Sequence, residues 1–235
     1  MTRFQDRFDA GRFLAEKLKH HAGDPRLVVL ALPRGGVPVA YEIARALGAP
    51  LDVFIVRKLG APGYEELAMG AIATGGVCVF NEEVIQHLGV SRNWIDAVIR
   101  EQQEELERRE QAYRDGRQPA EVENRHVILV DDGLATGASM RAAIRALRQR
   151  HPASITVAVP IGARDTCDQF RNEAEEVICG RTPEPFHAVG AWYHDFTQTT
   201  DDEVRELLNR AAHELRIRRV RDHNPAAEFI GLKRE

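Results

Sequence analysis

With 235 residues, 43% hydrophobic and 29% charged, the chain has the composition of an ordinary globular protein, long enough for a sizeable α/β domain. A formal net charge of −4 gives no reason to expect nucleic-acid binding, and no apolar run approaches membrane-spanning length. Three cysteines, Cys78, Cys167 and Cys179, lack CxxC spacing; they speak against a disulfide framework or zinc site and for a reducing, cytoplasmic setting, and the charged N-terminus is no signal peptide.

Phe4, Phe8, Leu14 and Leu18 recur at near-helical spacing among charged residues, which predicts an amphipathic opening helix ending near Gly23-Asp24-Pro25. It is read as a core-packing helix from which Arg7 or Arg12 could reach a ligand. Leu27 to Leu32 is an unbroken apolar strand that runs into Pro33-Arg34-Gly35-Gly36-Val37-Pro38, then a helix carrying Val39, Ala40, Ile43, Ala44 and Leu47. Leu51 to Val56 predicts a third strand, ending in Arg57-Lys58. From Leu59 to Gly70 breakers interrupt any periodicity, which predicts a long mobile loop with Tyr64 and Glu65 as lid contacts.

Ala71 to Thr74 and Val77 to Phe80 flank Gly75-Gly76 as a hairpin. Asn81 caps a short helix to Leu88, and Ser91 caps a long one carrying Trp94, Ile95, Val98, Ile99, Leu106 and Tyr113. The second half of that helix is nearly all charge, with Glu104–Arg108 and Glu105–Arg109 at i,i+4 spacing, and predicts a solvated arm. A subunit contact through Trp94 and Ile95, making a homodimer, is the alternative. Asp115 to Pro119 ends it.

The informative stretch follows: Val127-Ile128-Leu129-Val130-Asp131-Asp132-Gly133-Leu134-Ala135-Thr136-Gly137-Ala138-Ser139. It predicts a buried strand ending in two acids, a turn, and a helix bearing Met140, Ala143, Ile144 and Leu147. Ligands in open α/β sheets sit at such carboxyl ends. Gly133 and Gly137 permit close approach to backbone N–H groups, and with the first helical turn these form an anion nest, to which Thr136 and Ser139 add hydroxyls. The acids repel phosphate but suit neutral sugar hydroxyls or Mg2+. No Lys completes a Walker A loop, and adjacent acids do not match an aspartyl-phosphate enzyme; a plain strand–helix turn with a capping Thr stays open.

Ile155 to Pro160 predicts another strand, Ala163 to Ala174 a helix and Val177 to Cys179 a last short strand. This alternation implies a parallel sheet with helices on both faces. Arg181 to Phe196 holds four aromatics in a non-helical run, a patch either plugging the sheet edge or lining a ligand, and Thr200 caps a helix from Asp201 to Arg219. The tail, Arg216 to Glu235, is basic and then irregular, read as a solvated helix end.

The complete string from Val127 to Ser139 resembles the binding motif for phosphoribosyl diphosphate (PRPP) of the type I phosphoribosyltransferases. The resemblance implies an α/β fold: a parallel-sheet core over about 25–180, a helical insertion over about 81–122, and a small hood with a C-terminal helix over about 181–220, within a single domain spanning 1–235. It implies Mg2+-dependent transfer of ribose 5-phosphate from PRPP to a nitrogen acceptor, a nucleobase or similar molecule, with release of pyrophosphate. Asp131 and Asp132 would position the ribose and hold Mg2+ indirectly through PRPP. Gly133, Leu134, Ala135, Thr136, Gly137, Ala138 and Ser139 would bind the 5′-phosphate. Arg34, Gly35, Gly36, Arg57 and Lys58 would bind pyrophosphate, Arg34 and Lys58 with a catalytic role. The loop at Arg34 often holds a non-proline cis peptide in this family. The predicted 59–70 loop would close over the reacting centre, and Phe186, Trp192 and Tyr193 would stack the acceptor in the hood. Ala135 departs from the 6-oxopurine members, which carry Asp there, and argues against hypoxanthine or guanine as acceptor. A PRPP- or nucleotide-binding regulator with little catalysis, and a PRPP hydrolase, are the other readings.

Overall fold

A computed structural model describes residues 2–223, without the side chains at 65, 66, 222 and 223. In chain order, α1 (Arg7–Lys17) leads to β1 (Leu27–Ala31), α2 (Gly36–Leu47) and β2 (Leu51–Val53). Next come β3 (Val56–Ala61), β4 (Tyr64–Ala73), β5 (Val77–Phe80), α3 (Glu82–Leu88) and α4 (Arg92–Arg114). The chain then continues through β6 (His126–Val130), α5 (Ala138–Arg148), β7 (Ser154–Ile161), α6 (Arg164–Phe170), β8 (Glu176–Arg181) and α7 (Asp201–His223).

Five strands pair in parallel in the order β2-β1-β6-β7-β8. Their side chains alternate between two buried layers. Leu27, Val29 and Ala31 pack with Leu14, Leu18, Ile43, Leu106 and Leu208, from helices α1, α2, α4 and α7. Val28 and Leu30 pack on the other face with Met140, Ile144, Leu147 and Phe170, from α5 and α6. Burial on both faces explains the unbroken apolar runs, as parallel sheets require. The chain leaves β1 toward β2 on one side and β6 toward β7 on the other. The switch in direction therefore lies between β1 and β6, opening a crevice between the two turns that follow them.

Four expectations are corrected. The third core strand stops at Val53; Arg57 and Lys58 belong to β3, in a separate antiparallel sheet ordered β3-β4-β5. The predicted 59–70 loop is largely strand, β3 and β4 turning at Gly63, whose φ is +71°. Register shifts at Leu59/Gly60 and Gly60/Ala61 erase the period-two pattern a strand would otherwise display. Tyr64 is exposed there, and the Glu65 side chain lies outside the described residues.

The charged half of α4 is not simply a solvated arm. Arg114, only 4% exposed, meets Asp52 of β2 at 3.0 Å and gives Nη2 to the Val53 carbonyl at 3.1 Å. Asp52 also accepts the Ala120 N–H, so the insertion is fastened to the core at both ends of its return. On the outer face Glu105 pairs with both Arg108 and Arg109, which hold its carboxyl down at about 2. Finally, Cys167 and Cys179 form a disulfide, because the turn after α6 brings β8 back against it; Cys78 is free. Twelve residues separate the pair, a spacing with no signature of its own. Among the described residues no helix is long and apolar enough to cross a membrane. The tail beyond 223 lies outside the described residues.

Candidate functional site

β6 delivers Asp131 and Asp132 to the carboxyl edge of the sheet, beside the switch point. Asp132 Oδ2 accepts the Nε–H of Arg7 at 2.8 Å, and the Asp132 amide donates to Asp131 Oδ1 at 2.8 Å. Burial drives the Asp131 carboxyl well above the usual carboxylate range, and the neighbouring Asp132 charge pushes it the same way. Burial also raises Asp132, against the opposing charge of Arg7. The two crowded acids are thus each pushed toward the neutral form by burial, Asp132 less so because Arg7 opposes it, and hydroxyl donors or added positive charge would favour their ionised forms.

The turn after β1 packs directly on these acids. The Leu32 amide donates to the Val130 carbonyl at 2.8 Å, and the Pro33–Arg34 peptide is cis. A Cβ on Gly35 would collide with the Asp132 carboxylate, and one on Gly36 would meet the Val130 carbonyl at 2.7 Å. Both glycines are therefore dictated by the contact between the two turns. Arg34, half-exposed, lies 3.6 Å from Asp201 in the first turn of α7. Asp201 also accepts the hydroxyl of Tyr113 from α4, at 2.7 Å.

Beyond the acids, the Leu134 amide donates to the Ile161 carbonyl and the Ala163 amide to the Leu134 carbonyl, each at 2.9 Å. Thr166 Oγ1 donates to the Ala135 carbonyl at 2.7 Å. These bonds pin the turn to β7 and α6. Gly137 adopts φ +73° at the start of α5, with Phe170 too close for any side chain. Ala135, Thr136, Ala138 and Ser139 are left exposed, on top of a helix whose first amides have no intrahelical acceptor.

The remaining predicted residues divide. Arg57 gives Nε and Nη2 to Gln102 Oε1 of α4, at 3.0 and 2.7 Å; Lys58 is exposed on the alternate face of β3. Arg12 faces Asp9 and Glu42. Tyr193 is buried: its ring sits between Phe4 and Phe196, and its hydroxyl donates to the Asp132 carbonyl at 2.6 Å. Its hydroxyl pKa is pushed far up by burial and then by the Asp132 charge. Phe186 and Trp192 are half-buried around the same cluster. Tyr193 thus supports the acid turn from below, with no free ring face for a base. Two contributors lacked a local signal. Val189 fills the space over Gly133, and Phe196, exposed, carries the Arg7 guanidinium 3.9 Å above its ring.

A parallel sheet with paired acids, a glycine-bearing turn and an amide-rich helix start around its switch point places the chain among the open α/β proteins, in which ligands sit at that edge. More narrowly, the chain belongs to the phosphoribosyl transferase family: the family described as Phosphoribosyl transferase domain matches residues 2–74 and 62–189. It is 48% identical over 211 residues to Rv0571c and to MT0597, proposed phosphoribosyl transferases of Mycobacterium tuberculosis, covering 90% of this chain. The chain spans about half the length, 47%, of these curated relatives. It is also similar to the crystal structure of TT1426 from Thermus thermophilus, with a TM-score of 0.79 and 42% identity over 88% of this chain and 98% of that one.

Proposed function

We propose that the chain transfers the ribose 5-phosphate group of PRPP to a nitrogen acceptor, a nucleobase or similar small molecule, with release of pyrophosphate. The observation that carries this is the contact of Gly35 with Asp132. In this reading the turn that would grip pyrophosphate lies against the acid pair that would bind the ribose, and the acid pair leads into the turn of exposed residues Ala135, Thr136, Ala138 and Ser139.

In the reaction the acceptor nitrogen gives its lone pair to C1′ as the C1′–O bond breaks, and the bonding electrons leave with pyrophosphate. The acceptor N–H proton goes to solvent or to a base on the ligand. Positive charge grows on the ribose, and the ionised acids Asp131 and Asp132 favour it while orienting the hydroxyls. Arg34, freed from Asp201, and Lys58 stabilise the departing diphosphate, where one lost donor slows turnover by about 10²–10³. A pyrophosphate role for Arg57 requires its guanidinium to leave Gln102. Amides of Gly133 to Ser139 anchor the 5′-phosphate far from the breaking bond, using binding energy for orientation.

The donor chemistry of the site fits Mg2+: two carboxylates held up by burial gain most from an added cation. Asp131 and Asp132 would hold it through the ribose hydroxyls, and when bound it neutralises charge on the leaving pyrophosphate. Trp94, exposed on α4, is the residue a homodimer contact would use, beside Ile95, which packs on the core.

The test is incubation with PRPP, Mg2+ and a panel of bases, following pyrophosphate release. Base-dependent release is expected; no release and no PRPP binding would overturn the assignment. The ion pairs Arg7–Asp132 and Arg34–Asp201, which occupy the ligand-facing charges, favour a second reading as a PRPP- or nucleotide-binding regulator. Saturable PRPP binding without release, for every base, would select it.

A further inference from the structure

We propose that His20, His21 and Glu176 form a binding site for a divalent transition-metal ion of the zinc, cobalt and nickel type. The site lies at the opposite edge of the sheet from the acid pair. Glu176 opens β8 and is paired in register with Thr156 of β7, whereas Asp131 and Asp132 follow the far end of β6. His20 and His21 occupy the short 3-10 turn, Lys19–His21, that follows α1.

Three donor atoms, one from each residue, lie within 4.8 Å of one another. His20 Nε2 is 3.0 Å from Glu176 Oε1, and His21 Nε2 is 2.7 Å from Oε2. Zinc bonds to imidazole nitrogen and carboxylate oxygen at about 2.0–2.2 Å, which sets tetrahedral donors roughly 3.4 Å apart. His20 needs to open by only about 0.4 Å and His21 by about 0.7 Å to admit an ion. Both rings present Nε2 to the same carboxylate and pack together with centroids 4.2 Å apart, so they approach as a unit. Backing from behind also exists: Thr156, 4% exposed, donates Oγ1 to Glu176 Oε2 at 3.2 Å and fixes the carboxylate from the core side. The His20 side chain is half-exposed, which leaves a fourth position open to water.

Entry of the ion is balanced by proton movement. Each Nε2 that donates to Glu176 must present its lone pair instead, so its proton passes to Nδ1 or is released to solvent. Two imidazoles and one carboxylate suit zinc, cobalt or nickel, while Mg2+ takes oxygen ligands and keeps its waters. The site is therefore chemically distinct from the one proposed for Mg2+. Occupied, it would tie the end of α1 to β8, an edge strand, and α1 carries Arg7 at its other end.

The probe is Zn2+ alone, titrated calorimetrically into the full chain in excess Mg2+, with Co2+ absorption reporting nitrogen ligation. One ion per chain is expected, with the same affinity in Asp131→Asn/Asp132→Asn, which isolates this site from the acid pair. His126→Ala, which removes the nearby His126–Asp24 pair, should also leave binding unchanged. His21→Ala and Glu176→Gln should each weaken binding by about 100-fold, and Thr156→Val by about tenfold. His20→Ala, at an exposed position, provides a variant whose folding is not in question. Zn2+ should raise the thermal midpoint of the wild type and not that of His21→Ala. Equal affinity in wild type, His20→Ala and Glu176→Gln would overturn the proposal, as would absence of saturable binding in the wild type.

Discussion

Arg7 and Asp132 form an ion pair at 2.8 Å that joins the first helix to the turn carrying the acid pair. Both side chains are largely buried, 10% and 16% exposed, and Arg7 also donates to the Thr197 carbonyl at 2.8 Å while covering Phe196. One guanidinium thus links the acids, the hood and α1. Replacing Arg7 by Met leaves Asp132 without its counter-charge and should lower stability by about 1–3 kcal/mol. PRPP binding should weaken together with it, and isothermal titration alongside chemical denaturation separates the two effects.

The Arg114–Asp52 bridge makes a sharper prediction because it is buried and has no ligand-facing role. Asp52→Ala leaves the Arg114 guanidinium with Glu110, 3.1 Å away, as its remaining counter-charge and takes the acceptor from the Ala120 N–H, and should cost about 1–3 kcal/mol. The pair of changes Arg114→Met with Asp52→Leu removes the charges of this bridge but leaves Glu110 without its partner, and should recover part of the loss. Denaturant melts of the single and double variants check this; a double variant as unstable as the single would argue against charge burial as the cause.

Acid dependence of stability follows from Asp131. Its folded pKa is raised, by burial and then by Asp132, above the unfolded value of about 3.9. Between those two values the folded protein holds the proton that the unfolded chain has lost, so stability falls as pH rises through the folded pKa. Asp131→Asn removes this slope, worth up to about 1.4 kcal/mol for each pH unit of the window. Melts without ligand from pH 4 upward should show the variant gaining on the wild type as pH increases.

Gly35→Ala places a methyl group against the Asp132 carboxylate. Repacking there forces apart the two turns of the switch point, so turnover should drop by at least about tenfold, while cores distant from the site keep their melting behaviour. Pyrophosphate release and a thermal melt, run on the same preparation, decide it.

Tyr193→Phe deletes the hydroxyl that donates to the Asp132 carbonyl and leaves the ring in its aromatic cluster. About 1–3 kcal/mol of stability should be lost, since a half-buried carbonyl loses its partner. An acceptor-stacking role, which the phenylalanine ring keeps, would instead leave both stability and the KM for the base unchanged.

Much of the framework was legible because it rests on local rules. Asn81, Ser91 and Thr200 each accept from a backbone amide at the helix starts read from sequence, and Thr200 and Glu203 complete a reciprocal capping box. β1, β6 and β7 follow their apolar runs, and the acids fall at the end of β6. What escaped depends on pairings between distant residues. Bulges hid the β3–β4 hairpin, and Asp52, 62 residues from Arg114, gave no sign that a charged helix would bury an arginine. Tyr193 reads as a ligand-stacking aromatic in isolation; only the fold reveals that its hydroxyl is spent on Asp132.

The hydrogen bonds of Arg7 span 125 residues to Asp132 and 190 to Thr197. Contacts of such separation close long loops and carry the loop-closure entropy that goes with them. During synthesis the Arg7 side chain therefore waits for both partners, and its links to Asp132 and Thr197 are complete only when residues near 197 have emerged.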